Sequence, residues 1–229
     1  MSTARARRPV TRLAAVTYET YVRLRDARGN RGLRMAYHDG VLEIMSPEFR
    51  HDLSARHLYE IVAAYCGGLK IDWQPAGSTT FRKGEPGRRV GKGKEADESF
   101  FIGERAVQAI LGKHTLDLNV DPPPSLWVEV DNWGSSRARL PLYAGLGVPE
   151  VWRYRPRRRT LWIGRLVDGG GDYAAVNASV VLPGLAASVI VEALEKLETL
   201  SMAAGRVYLA GDWFPRHRQG FVQASNGPG

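Results

Sequence analysis

The chain has 229 residues, 44% of them apolar and 24% charged, enough to bury one core of ordinary size with some tail. Its formal net charge is +8 and its pI about 9.8, a balance that favours a polyanionic partner without requiring one. One cysteine, Cys66, excludes an intrachain disulfide and a cysteine metal cluster, and no run reaches the ~18 apolar residues that a membrane span needs.

Residues 1–15 are Arg- and Ala-rich and read as a flexible basic arm. No apolar segment of signal-peptide type follows Arg5, Arg7 and Arg8, so a cytoplasmic location is expected. Thr17 is placed to cap a short helix through Tyr21, Val22 and Leu24, with Glu19 favouring its dipole. His38-Asp39-Gly40 is a turn signal between the extended runs 33–37 and 41–45, which predicts a β-hairpin. Helical spacing follows over 50–66, and Gly67-Gly68 is expected to stop that helix.

Short strands are expected over 69–74 and 78–82, and residues 83–94 read as a basic, flexible, glycine-rich loop. A strand over 95–102 and a helix over 104–111 come next. Residues 126–131 have the apolar content of a central strand except at their acidic end. Residues 135–146 read as a helix in which Pro141 is tolerated only near the first turn, and Gly147 ends it. Strands over 148–154, 160–166 and 173–178 and a helix over 185–197 complete a domain spanning 16–200. Residues 201–229 are expected to be a disordered tail. The order of elements predicts a mixed α/β fold, α+β in character, with helices flanking a mixed sheet.

Three carboxylates fall inside apolar runs: Glu43 in Val-Leu-Glu-Ile-Met, Asp97 in Glu-Ala-Asp-Glu-Ser-Phe-Phe-Ile, and Glu129 in Leu-Trp-Val-Glu-Val-Asp. Alternation along a half-exposed strand could put any one of them in water. A shared divalent cation, such as magnesium, explains all three at once, because a buried carboxylate is costly unless paired or coordinating. Glu129 and Asp131, two apart on one strand, share a face and repel, which again suggests a cation near them.

Lys83, Arg88, Arg89, Lys92 and Lys94 lie among glycines and are candidate contacts to a DNA backbone. The segment is not a phosphate-binding P-loop, since the Gly-Lys-Ser/Thr ending is missing. Arg153, Arg155, Arg157, Arg158 and Arg159 form a second basic run in a hairpin turn, either solvated or phosphate-binding. Trp127, Trp152 and Trp162 are expected in the core or at an interface, and His57 at a helix surface or core edge.

The string Asp39-Gly40-Val41-Leu42-Glu43-Ile44-Met45-Ser46-Pro47, followed by Arg50-His51, resembles the entry motif of the bacterial putative restriction-endonuclease family of the PD-(D/E)xK nuclease superfamily. Glu95-Ala96-Asp97 resembles its Pro-Asp strand, with Ala96 in place of proline, and Leu126-Trp127-Val128-Glu129-Val130 its second acidic strand. The longest and most specific match is residues 140–152, Leu-Pro-Leu-Tyr-Ala-Gly-Leu-Gly-Val-Pro-Glu-Val-Trp. The resemblance spans about residues 16–195.

The resemblance implies a restriction-endonuclease-like core with an added N-terminal hairpin. It implies a magnesium or manganese ion on Asp97 and Glu129, with Glu43 completing the acidic site and His51 and Asp131 around it. The implied reaction is hydrolysis of DNA phosphodiester bonds with no organic cofactor, and double-strand cleavage would favour a homodimer. The sequence departs from the family pattern at the lysine. Asp131 occupies the position two residues after the second acid, and Arg139 stands where the helix usually offers lysine. Arginine stabilises phosphate charge but cannot act as a base. Lys94, three residues before Asp97, is the candidate replacement. Two alternatives stay open: a nuclease-fold protein with a decayed site that binds nucleic acid or a protein partner, and a basic structural protein whose acids are salt-bridged to its arginines.

Overall fold

The computed structural model describes residues 11–30, 32–45, 49–85, 90–132 and 135–225. Its first strand, β1 (Thr11–Leu13), comes out of the expected arm and pairs antiparallel with β3. Helix α1 (Tyr18–Asp26) starts at Thr17, whose hydroxyl accepts the Thr20 backbone N–H at 3.1 Å. The hairpin is β2 (Arg34–His38) and β3 (Val41–Met45). Asp39 and Gly40 have φ of 42° and 96°, the two positive values that match a tight turn to the strand twist.

Helix α2 (Phe49–Leu69) continues through Gly67-Gly68, which do not stop it. Gly68 answers to packing instead: a Cβ there would lie 2.2 Å from the Phe214 ring. Strands β4 (Trp73–Pro75), β5 (Thr80–Gly84), β6 (Gly91–Glu95) and β7 (Glu98–Ile102) follow. Residues 83–84 and 91–94 of the expected 83–94 loop are therefore sheet, and Lys92 and Lys94 belong to β6. Arg88 and Arg89 lie outside the described residues, as do Ser46 and Pro47.

Short α3 (Glu104–Gln108) precedes β8 (Leu126–Val130). A 3-10 turn, Ser136–Arg139, leads into α4 (Leu140–Leu146), with Pro141 in the first turn where its missing N–H costs nothing. Then come β9 (Glu150–Arg155), β10 (Thr160–Leu166), β11 (Tyr173–Val176) and α5 (Ala187–Leu197). The expected tail is helical up to Ser225: α6 (Met202–Tyr208), a π turn (Leu209–Trp213) and α7 (Phe214–Ser225). Its disorder does not hold because Trp213, Phe214 and Phe221 are buried in the core.

Two sheets result. One is antiparallel, ordered β1-β3-β2-β6-β5; the other is mixed, ordered β11-β10-β9-β8-β7-β4, with β8 and β9 parallel across α4. Strand alternation divides the second sheet cleanly. Phe100, Val128, Val130, Trp152 and Tyr154 face a core shared with α2, α5 and the C-terminal helices. Phe101, Trp127 and Val151 face the other way, into a core shared with α4 and Phe81 of the first sheet. Residue 129 follows the parity of Trp127, so Glu129 lies on the side where the two sheets and α4 meet. No described helix is long and apolar enough to cross a membrane.

Candidate active site

Asp97 sits in the two-residue step between β6 and β7, where the chain passes from one sheet to the other. Its backbone N–H donates to Val128 O at 3.1 Å, and its Oδ2 accepts the Val130 N–H at 2.7 Å. Asp97 is thus clamped against β8 on both sides of Glu129, by its backbone on one and its carboxylate on the other. His51 Nε2, from α2, lies 2.8 Å from Oδ2, and an Arg34 guanidinium N–H donates to Oδ1. Arg34 also donates to Asp52 at 3.1 Å. Burial alone would raise the Asp97 pKa. The hydrogen bond and charge of His51, with the charges of Lys94 and Arg34, outweigh it and hold the carboxyl at about 2. Burial likewise disfavours a charged His51, but the bond to Asp97 and its charge prevail and raise the imidazole pKa.

Glu129 is buried and takes two donors on one oxygen. Trp127 Nε1 donates to Oε1 at 2.6 Å, and Lys94 Nζ donates to the same Oε1 at 2.7 Å. Lys94 Nζ also donates to Glu95 O at 2.7 Å. Oε2 receives no hydrogen bond among the described residues. The ammonium rests between two aromatic rings, 5.8 Å from the Trp127 centroid and 6.0 Å from that of Tyr143. The sequence-predicted Asp97, Glu129 and Lys94 are therefore brought together. Lys94 arrives on β6, not on the strand of the second acid.

Glu43 is held differently. Arg139 Nε donates to its Oε2 at 2.9 Å, and both side chains are half-buried. Among the described residues no group of three or more His, Cys, Asp or Glu is arranged to hold a metal ion, so Glu43 does not join Asp97 and Glu129 in one ligand set. Arg139 bridges the gap electrostatically: burial disfavours its charge, but the nearby Tyr143, Glu129 and Glu43 raise its pKa further.

Asp131 corrects the expectation of a shared cation with Glu129. It accepts Arg153 at 2.8 Å and the Ser136 N–H at 2.8 Å, so each acid has a protein cation of its own. Arg153 is buried against Asp131 and lies 5.5 Å over the Trp162 ring, so it is no phosphate grip, whereas Arg157, Arg158 and Arg159 are exposed. Lys83 is exposed on β5, and Lys92 is half-buried, 3.7 Å from Asp39.

Arg34, Asp52 and Tyr143 were not legible as site residues. Arg34 had no signal beyond lying in a strand. Asp52 could have been found from its place one residue after His51. Tyr143 was visible only inside the long matching string.

The pair Asp97 and Glu129 fits a hard divalent cation in chemical kind. Both are oxygen donors, Asp97 in the step before β7 and Glu129 on the adjoining β8; Glu129 Oε2 accepts no hydrogen bond among the described residues, and magnesium needs only one or two carboxylates when waters and phosphate fill the rest. Glu129 is the readier donor, since both oxygens of Asp97 already hold Arg34 and His51.

Among solved structures, one described as a putative nuclease belonging to DUF820, from Anabaena variabilis ATCC 29413, matches with a TM-score of 0.52 and 13% identity. The match covers 78% of this chain and 99% of that one. It supports the mixed, nuclease-like fold expected from the element order. No curated protein matches the chain. The family model described as putative restriction endonuclease (Uma2) matches residues 18–203, so α6 lies at the edge of the matched region and α7 beyond it. By that match, over most of its length and including all three acidic strands, the chain belongs to the Uma2 family of putative restriction endonucleases.

Proposed function

We propose that this chain is a divalent-cation-dependent endonuclease that hydrolyses DNA phosphodiester bonds at Asp97, Glu129 and Lys94. One observation carries the reading: a buried lysine, 2.7 Å from Glu129, completes an acid–acid–lysine set although its usual positions hold Asp131 and Arg139. Asp97 and Glu129 would hold magnesium or manganese, which supplies charge neutralisation at the scissile phosphate and activation of water. Lys94 brings positive charge to the phosphate and, unlike arginine, can exchange a proton. Arg139 keeps Glu43 in place and adds a fixed positive charge beside the site. His51 and Arg34 keep Asp97 ionised and oriented. Lys83 and Lys92, with Arg88 and Arg89, are the proposed backbone contacts.

The test is plasmid nicking by the purified chain with magnesium or manganese. Wild type cleaves, and Asp97→Ala, Glu129→Ala and Lys94→Ala each abolish cleavage. Absence of cleavage by wild type with either ion defeats the enzyme reading. A second reading has its own support: Asp97, Glu129 and Glu43 are all already neutralised by protein cations. It makes the chain a nuclease-fold protein that binds nucleic acid without cutting, and it predicts salt-dependent DNA affinity with no nicking.

A further inference from the structure

Tyr143 is fully buried on α4, and its hydroxyl has no hydrogen-bond partner among the described residues. A buried, unpaired hydroxyl is costly, and native proteins seldom keep one without a use. Its surroundings are those of the candidate site. The Tyr143 ring lies 5.3 Å from Trp127 and 6.0 Å from the Lys94 ammonium, and those two side chains are the donors to Glu129 Oε1. Burial and then the charge of Glu129 raise its pKa most, ahead of the opposing effect of Arg139. The hydroxyl therefore stays protonated and available as a donor.

Lys94 is committed to Glu129 in this structure, yet the proposed reaction asks it to face a phosphate. When it turns away, Glu129 keeps only the Trp127 N–H on Oε1 and becomes a buried carboxylate short of donors. Resting on the nuclease reading above, we propose that Tyr143 is a positioning residue for Glu129: its hydroxyl is the reserve donor that takes up the carboxylate when Lys94 turns from it to a ligand. Phenylalanine at 143 would keep the ring that flanks Lys94 and remove only that donor.

The test is manganese binding to the full chain by isothermal titration in the presence of a short duplex with an uncleavable backbone, whose phosphates draw Lys94 from Glu129, with thermal melts of wild type and Tyr143→Phe beside it. The expected result is a manganese affinity about tenfold weaker in Tyr143→Phe, one charge-assisted hydrogen bond's worth, with a melting temperature unchanged or higher. Equal affinities in the two proteins overturn the assignment and leave the metal site standing. A melting temperature lower by more than about 3 °C marks the hydroxyl as structural and overturns it too. Failure of the wild type to bind manganese overturns both this assignment and the metal-dependent reading on which it rests.

Discussion

Lys94→Met is the substitution that most directly probes how the acidic centre is held. Methionine is close to lysine in length and suits the slot between Trp127 and Tyr143, so the change removes charge with little loss of packing. It also removes two hydrogen bonds, to Glu129 Oε1 and to Glu95 O, both 2.7 Å long. Glu129 is left with a single donor, Trp127 Nε1, in a site with 5% side-chain exposure. Breaking one side of a buried ion pair costs about 3–5 kcal/mol, because the surviving charge is uncompensated. For a domain of this size each kcal/mol moves the melting temperature by roughly 2–4 °C, so a fall of about 6–20 °C is expected by circular dichroism in metal-free buffer. Adding Glu129→Gln removes the orphaned charge and should recover most of the loss, giving a clear coupling in the double-mutant cycle. A single variant that melts within about 3 °C of wild type would refute the argument that Lys94 neutralises Glu129.

Two adjacent glycines in α2 should respond with opposite signs. Gly67→Ala meets open space and should stabilise by up to about 1 kcal/mol in urea unfolding, whereas Gly68→Ala drives a methyl into the Phe214 ring and should cost about 1–3 kcal/mol. Equal stabilities would contradict the docking of α7 on α2. Truncation after Leu200 strips Trp213, Phe214 and Phe221 from the core, at about 3–5 kcal/mol for each large aromatic lost. That sum rivals the whole stability of a domain, so the shortened chain should aggregate; a soluble fragment that melts cooperatively would contradict the packing. Burial pushes the Cys66 thiol from 9.0 up to about 12, so native protein at pH 8 should resist iodoacetamide while urea-unfolded protein reacts. The same shift withdraws stability as pH rises above about 9, where only the unfolded thiol ionises; rapid alkylation of native protein would refute the burial.

What the sequence disclosed, and what it hid, follows from how local each signal was. The β2–β3 hairpin was legible because Asp39-Gly40 encodes its turn within two residues, and α1 because Thr17 caps it within four. Strand β6 was hidden because Gly91-Lys92-Gly93-Lys94-Glu95 has the composition of a loop. Its reasons are tertiary: a Cβ at Gly91 would meet Tyr18 at 2.6 Å, one at Gly93 would meet Tyr21 at 2.4 Å, and Lys94 is buried by its pairing with Glu129. The strand's glycines make room for the tyrosines of α1. The C-terminal helices were hidden by polar composition, yet Trp213, Phe214, His217 and Phe221 recur at helical spacing and carried a readable stripe. At the site, Asp97 and Glu129 were legible as acids out of place in apolar strands. Their partners Arg34, His51 and Lys94 come from β2, α2 and β6; the family resemblance pointed to His51 and Lys94, and no signal in the sequence joined Arg34 to them.

Those partners bear on how the proposed site would take its ligands. Asp97, Glu129 and Glu43 are met by Arg34, His51, Lys94 and Arg139, so the cluster is close to neutral as it stands. A divalent cation entering alone brings two positive charges beside three or four others, and its gain at the carboxylates is opposed by that repulsion. A phosphodiester entering alone brings one negative charge to a place lined by carboxylates. Entering together, they bring a net charge of only +1, and Lys94 can exchange Glu129 for phosphate without leaving a bare charge behind. Cation and nucleic acid should therefore bind cooperatively, each tightening the other by the same factor, as linkage demands. Two such charges a few ångströms apart in a partly buried site are worth on the order of 1–3 kcal/mol, a factor of about 5–150. The measurement is equilibrium manganese titration with and without a short duplex that has an uncleavable backbone. Identical manganese affinities in the two titrations would mean that the protein cations do not govern access to Asp97 and Glu129, and the exchange argument would fall.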